Sequence, residues 1–115
     1  MADPANSLLS PVTSRILHCM LRVRDLDASL DFYCRLLGMR LLRRNDYPTG
    51  AFSLVFLGYG EEDAHTVLEL THNWDGRDYR SGDGFGHIAI AVADVRESIS
   101  TLEAASVTVT RQAGP

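Results

Sequence analysis

Two stretches of the sequence, HCMLRVRDLDASLDFY at 18–33 and HIAIAVADVRESISTL at 87–102, decide the fold because the second repeats the first. In each copy an alternating apolar segment leads into an aspartate, and apolar residues at helical spacing follow it. Aspartate in that place is a typical helix N-cap. With His87 aligned on His18, an offset of 69, the matching pairs are Val23/Val92, Asp25/Asp94, Leu26/Val95, Ser29/Ser98 and Leu30/Ile99. The chain is therefore predicted to contain a strand–helix unit twice, with the two strands at 16–23 and 86–92.

Three further strands are predicted between the two copies. Gly38 follows the first helical pattern and is typical of a C-cap, and turn-forming residues occupy 45–50 and 58–63. The strands that these signals separate lie at 39–43, 52–57 and 66–71. The first module is thus predicted to be βαβββ. In the second copy only one more strand, 107–110, is predicted after the helix, so the fold class is α+β with tandem βαβββ modules, the second incomplete.

Length and composition restrict the chain to one small globular domain. The sequence has 115 residues, of which 45% are hydrophobic and 23% charged. We expect a flexible N-terminal extension at 1–14 and a single domain at 15–115, with the first module at 15–73 and a partial second module at 84–115. The extension has neither the basic nor the apolar part of a secretory signal.

Charge and hydropathy exclude two classes of partner. The net charge is −4 and all eleven cations are arginine, so we expect no nucleic acid. The longest apolar run, 88–93, is far shorter than the ~20 residues that cross a bilayer, so we expect no membrane span. Two cysteines, Cys19 and Cys34, are too few for a disulfide framework and are interpreted as reduced thiols. The expected location is the cytoplasm.

Strand alternation sends an unusual set of polar residues to one face of the sheet. His18 and Arg22 point away from the apolar row that should meet the helix, and Glu69 and Asn73 do the same on a later strand. His87 takes the place of His18 in the second copy. Two imidazoles and a carboxylate suit nickel, zinc, cobalt, iron or manganese, so this face is a candidate metal site.

Each of these residues also has a plain structural interpretation. A single histidine on a strand is more often a structural side chain than a ligand. Glu69 could instead form an ion pair with Arg22. His65 at a turn and His72 on the opposite face from Glu69 are both expected to lie at the solvent-exposed surface.

Four segments carry a family resemblance from about residue 15 to 115. They are LHCMLRVRDLDASLDFYCRLLGM at 17–39, FSLVFLGYG at 52–60, TVLELTHNW at 66–74 and GFGHIAIAV at 84–92. In this order they resemble the glyoxalase I (lactoylglutathione lyase) family of the vicinal-oxygen-chelate superfamily. The resemblance implies an eight-stranded cup around one divalent metal, usually in a homodimer whose sites lie between chains.

The resemblance also implies the reaction and the role of each residue. The family isomerises the hemithioacetal of methylglyoxal and glutathione, its co-substrate, to S-lactoylglutathione. His18, Glu69 and His87 match metal ligands, and Glu69 is also a candidate proton-transfer base. Arg22 and Asn73 match positions that hold the glutathione moiety. Histidine as first ligand and the short stretch before His87 resemble the nickel- or cobalt-activated type, with zinc as the alternative metal.

The family's fourth ligand and main general base is a glutamate on its last strand. The offset of 69 places the counterpart of Glu69 near position 138, outside these 115 residues. We therefore interpret the chain as a C-terminally truncated member and expect its activity to be impaired. The alternatives are a non-catalytic ligand-binding module of the same superfamily and an inactive truncated form. Trypanothione in place of glutathione also stays open.

Overall fold

A computed structural model describes residues 6–114. This chain forms two compact units, the first ending at Tyr79 and the second beginning at Arg80. The expected N-terminal extension, 1–14, lies in part outside the described residues, and so does the expected domain end at 115. The module boundaries at 15–73 and 84–115 stay predictions.

The first unit has the predicted βαβββ order. Strand β1 precedes helix α1, which continues as a π-helical stretch, and three strands follow; the sheet order is β1-β4-β3-β2. Strand β1 runs parallel to β4, and the other two pairings are antiparallel. The elements are β1 (His18–Arg22), α1 (Leu26–Leu30), the π-helical stretch (Asp31–Leu36), β2 (Arg40–Tyr47), β3 (Phe52–Gly58) and β4 (Val67–Asn73).

Both predicted ends of the first helix are confirmed. The Asp25 carboxylate accepts a hydrogen bond from the Ala28 amide at 3.0 Å, which caps the start of α1. Gly38 has φ +78°, the left-handed conformation that favours glycine, and its amide donates to the Cys34 carbonyl. The sequence pattern did not predict the π-helical stretch between them. A π-helix differs from an α-helix in its backbone hydrogen bonds, and over so few residues the spacing of apolar side chains fits both.

The core of the first unit lies on the central strands β3 and β4. The side chains of Val55, Leu57 and Leu70 are completely buried. Leu26 of α1 and His72 of β4 line one cleft, so α1 lies on the side of β4 that also carries Leu70. The opposite face of the sheet is therefore the one available for a site.

Strand β2 is longer than predicted, and the predicted turn at 45–50 is wrong over its first half. Asp46 and Tyr47 pair with Ser53 and Phe52 across β3. The Ser53 hydroxyl donates to the Asp46 carboxylate at 2.6 Å, and the Tyr47 ring stacks on the Phe52 ring at 4.8 Å. These cross-strand contacts hold the strand together, so the turn is confined to 48–51.

The second unit contains helix α2 (Val95–Ala104), as predicted, with the Asp94 carboxylate accepting from the Glu97 amide at 3.0 Å. The predicted strands at 86–92 and 107–110 are wrong. A β-strand requires backbone hydrogen bonds to a neighbouring strand. Within residues 6–114 neither segment forms such a strand. The Val107 amide instead donates to the Leu102 carbonyl at the end of α2.

Within the described residues no helix is long and apolar enough to cross a membrane.

Replacing Asp25 by alanine is expected to lower the free energy of unfolding by about 1 kcal/mol, because the Ala28 amide loses its capping acceptor. Urea unfolding followed by the fluorescence of Trp74, the single tryptophan, measures this. Asp63→Ala, which removes the same side chain from an exposed loop, is the control. Equal unfolding midpoints for the two variants would contradict the capping role.

Candidate metal and substrate site

His18 and Glu69 lie side by side on the sheet face opposite the helix. In the parallel pairing of β1 and β4, His18 is opposite Val67 and Met20 is opposite Glu69, which puts both polar side chains on one face. The His18 Nε2 atom is 3.0 Å from the Glu69 Oε2 atom. The side chains are 33% and 15% exposed, so the pair is largely withdrawn from solvent. The juxtaposition predicted from strand alternation is therefore present.

The donor atoms of this pair fit a divalent cation. Imidazole nitrogen and carboxylate oxygen are ligands that zinc and nickel share. The His18 Nδ1 atom is buried without a hydrogen-bond partner among the described residues. A histidine with only one nitrogen satisfied is costly to bury, so a further group is expected at this ring.

The predicted trio is not present as a cluster in the described chain. Residues 6–114 contain no group of three or more histidine, cysteine, aspartate or glutamate side chains placed to hold a metal ion. His87 belongs to the second unit, where it is exposed. The first unit thus supplies two donors, and the role of His87 as a ligand stays a prediction.

Arg22 and Asn73 occupy the same end of two neighbouring strands. Arg22 ends β1 opposite Thr71, and Asn73 ends β4. Arg22 is exposed and makes no ion pair within 4 Å to any residue of 6–114. The alternative pairing of Glu69 with Arg22 is therefore wrong, because the Glu69 carboxylate is turned to His18. The Asn73 amide donates to the Tyr79 hydroxyl at 2.7 Å, which fixes its orientation.

Three residues beside the pair were missed by the sequence analysis. The Phe56 ring stands edge-on to the His18 ring, with centroids 5.4 Å apart and planes at 83°. The Arg43 guanidinium lies 3.6 Å from the Phe56 ring centroid. Glu62 accepts two hydrogen bonds from that guanidinium, at 2.7 and 3.1 Å. Phe56 alternates along β3 with the buried residues Val55 and Leu57, and this was the only local signal that it faces the site.

The ion pair beside the site is charged over a wide pH range. The Arg43 hydrogen bonds hold the pKa of Glu62 below its ordinary value, with a smaller contribution from His18. The bonds to Glu62 raise the pKa of Arg43, to which the charge of Glu69 also contributes. An ion pair without net charge therefore lies beside the site.

The two other histidines of the first unit lie outside this site. His72 faces the helix side as predicted, but it is half-buried, with Nδ1 3.3 Å from the Val23 carbonyl oxygen. The prediction that His72 is exposed to solvent is therefore wrong, because its ring contacts the backbone carbonyl of Val23 just after β1. His65 is exposed as expected, and its ring occupies the space that a side chain at Gly60 would fill.

Both cysteines are free, as predicted. Cys19 is exposed on β1, and Cys34 lies half-buried in the π-helical stretch. Burial raises the pKa of the Cys34 thiol, which keeps it protonated and unreactive at neutral pH.

Comparison with known proteins identifies the relatives of this chain. The family model described as Glyoxalase/Bleomycin resistance protein/Dioxygenase superfamily matches residues 15–115. A lactoylglutathione lyase of Neisseria meningitidis is 54% identical over 101 residues, which cover 88% of this chain and 73% of that protein. The lactoylglutathione lyase of Escherichia coli O157:H7 is 46% identical over 101 residues, 88% of this chain and 75% of that protein.

Solved structures give the same result. A trypanothione-dependent glyoxalase I from Leishmania major has a TM-score of 0.84 at 44% identity, covering 89% of this chain and 73% of that one. A glyoxalase I from Zea mays has a TM-score of 0.83 at 40% identity, covering 88% of this chain and 36% of that one.

Proposed function

Because the chain belongs to the Glyoxalase/Bleomycin resistance protein/Dioxygenase superfamily and, within it, to the lactoylglutathione lyases, we propose that it serves the same reaction. The substrate is the hemithioacetal that methylglyoxal forms with glutathione, and the product is S-lactoylglutathione. The observation that carries the proposal is the Glu69 carboxylate 3.0 Å from the His18 imidazole on the sheet face opposite the helix.

The proposed reaction moves a proton between two adjacent carbons. The proton on C1 is taken up by a carboxylate and returned to C2, so the overall change is an isomerisation without loss of atoms or electrons. Glu69 is the carboxylate available on this face, and at 15% exposure it is shielded from competing water. A divalent cation held by His18, Glu69 and His87 would supply the positive charge that favours negative charge on the neighbouring substrate oxygens.

The polar ends of β1 and β4 are suited to the thiol part of the substrate. Arg22 lies four residues along β1 from His18, a distance of about 13 Å, which matches an extended peptide-like group. Its planar guanidinium is unpaired within 6–114 and is suited to bind a carboxylate in bidentate fashion. The Asn73 amide, oriented by Tyr79, offers a second contact at the same end.

We also propose a metal, an assembly and a location for this protein. Nickel or cobalt is favoured because histidine as first ligand and the short stretch before His87 resemble the nickel- or cobalt-activated type of the family, and zinc is the alternative. A homodimer with sites between chains would bring further residues to the face that carries His18 and Glu69. A cytoplasmic location is supported by the two free cysteines, which suit a reducing compartment.

The chain is shorter than the relatives that it matches. The chain covers 73% of the Neisseria meningitidis enzyme. The counterpart of Glu69 in the second repeat falls near position 138, outside these 115 residues. We propose that this chain contributes His18, Glu69 and His87 as metal ligands and that Glu69 is also the proton-transferring carboxylate.

The test is the formation of S-lactoylglutathione by the purified chain, followed by thioester absorbance, with and without added nickel, cobalt or zinc. Metal content is measured by mass spectrometry on the same samples. Metal-dependent turnover at an impaired rate is the expected result. Bound metal without turnover would support the ligands but count against the proposed reaction. Hemithioacetal binding with neither metal nor turnover would overturn the proposal in favour of a non-catalytic binding module.

Replacing Arg22 by lysine is expected to raise KM about tenfold with a smaller effect on kcat, because a single ammonium replaces a two-pronged contact made equally before and during the reaction. Steady-state kinetics at varied hemithioacetal concentration measures the effect. Arg24→Lys is the matched control, since Arg24 is also exposed but is paired with Asp78 at 3.1 Å. A fall in kcat at unchanged KM would contradict the binding role.

A further inference from the structure

Strand β2 contains an irregularity next to the site. Leu41 pairs with Leu57 and Arg43 pairs with Phe56, so the register shifts by one residue and Leu42 has no partner on β3. In a regular strand Leu42 would be opposite Phe56, and the Arg43 side chain would point to the helix side. A bulge turns the following side chain to the other face. The irregularity therefore brings Arg43 onto the face that carries His18 and Glu69.

Glu62 fixes Arg43 in that place. The two hydrogen bonds, Nε to Oε2 at 2.7 Å and Nη2 to Oε1 at 3.1 Å, form the bidentate arrangement that defines the plane of the guanidinium. The Glu62 side chain is only 25% exposed. The guanidinium is thus held over the Phe56 ring, with 3.6 Å between its central carbon and the ring centroid.

The Phe56 ring, which Arg43 covers, packs against the imidazole of His18. Phe56 is 4% exposed, and its ring stands at 83° to the His18 ring with 5.4 Å between centroids. Apart from the contact of Nε2 with Glu69, no hydrogen bond orients the imidazole within residues 6–114, because Nδ1 has no partner there. Packing against Phe56 is therefore the second constraint on the direction of the ring.

We infer that Arg43 is a positioning residue for His18. Clamped by Glu62, it holds the Phe56 ring, and the Phe56 ring holds the imidazole so that Nε2 faces Glu69. Arg43 touches neither His18 nor the substrate in this role. The inference rests on the proposed function only in treating His18 as a ligand, and the packing itself is measurable without metal or substrate.

The strand offers a matched control. Arg44 follows Arg43 directly, pairs with Val55 on the helix side, and is bonded to Asp46 at 3.2 Å. Arg44→Gln therefore removes the same charge from the same strand but from the other face. Arg43→Gln removes the stacking cation, whereas Arg43→Lys keeps a cation and loses the two-pronged bond to Glu62.

The experiment is nuclear magnetic resonance on the full chain carrying isotope-labelled histidine, without metal. The His18 ring signal is assigned with His18→Gln, and the His72 ring and the Trp74 indole signals report whether each variant is folded. In Arg43→Gln the His18 signal is expected to shift and broaden, and its nuclear Overhauser effect to the Phe56 ring to fall at least about twofold. Arg43→Lys should lie between Arg43→Gln and the parent, and Arg44→Gln should match the parent.

A His18 signal in Arg43→Gln that coincides with that of the parent would overturn the inference. If Arg43→Gln fails to fold, Glu62→Gln replaces it, since it leaves Arg43 in place without its clamp and should give an intermediate His18 shift. In chains loaded with nickel, Arg43→Gln is expected to lower kcat/KM about twofold to fivefold, the range of an exposed cation–π contact. Absence of turnover in the parent chain would count against the proposed function and leave the magnetic resonance result unaffected.

Discussion

Replacing Glu69 by glutamine is expected to reduce the formation of S-lactoylglutathione about 10²- to 10⁴-fold, because the amide cannot accept the transferred proton. The substitution preserves the size of a side chain that is 15% exposed. It also preserves a hydrogen-bonding atom for His18, so the fold should change little. Nickel affinity is expected to fall about tenfold or more, since a neutral amide is a weaker ligand than a carboxylate.

Kinetics and nickel titration of the same preparations measure both effects. Glu61→Gln is the control, because it removes the same charge from an exposed position beside Glu62. Unfolding followed by Trp74 fluorescence shows whether the two variants are equally stable. Activity in Glu69→Gln equal to that in Glu61→Gln would show that Glu69 takes no part in proton transfer.

Replacing Leu70 by alanine is expected to lower the free energy of unfolding by about 2–5 kcal/mol, because the lost contacts leave a cavity in a tightly packed interior. Leu70 is completely buried in β4 between Leu21 and Val55. Since small domains are stable by only about 5–15 kcal/mol, this is a large part of the total. Urea unfolding measures the change.

Leu41→Ala is the control for the core substitution. Leu41 is on β2 but is 47% exposed, so removing the same atoms should cost less than about 1 kcal/mol. Similar losses for the two variants would contradict the assignment of the core to β3 and β4. Leu70 is adjacent to Glu69 yet faces the other way, so the pair of experiments separates stability from chemistry at neighbouring positions.

The sequence by itself determined the order of elements in the first unit and the face on which the candidate site lies. These features depend on local rules, since side chains alternate along a strand and an aspartate caps the helix that follows it. Alternation alone placed His18 and Glu69 on one face, and the repeat linked His87 to them. The family resemblance rested on the same short segments, and the comparisons confirm the family.

Only the tertiary structure decided the features that depend on distant partners. The segment at 86–92 has strand alternation but no bonded neighbour within 6–114, and alternation cannot supply one. His72 is half-buried because its ring contacts the carbonyl of Val23, which is 49 positions away in the sequence. The register shift at Leu42 carries no sequence signal, because it arises from how β2 pairs with β3. It brings Arg43 onto Phe56 beside His18, since pairing between strands fixes which face a side chain takes.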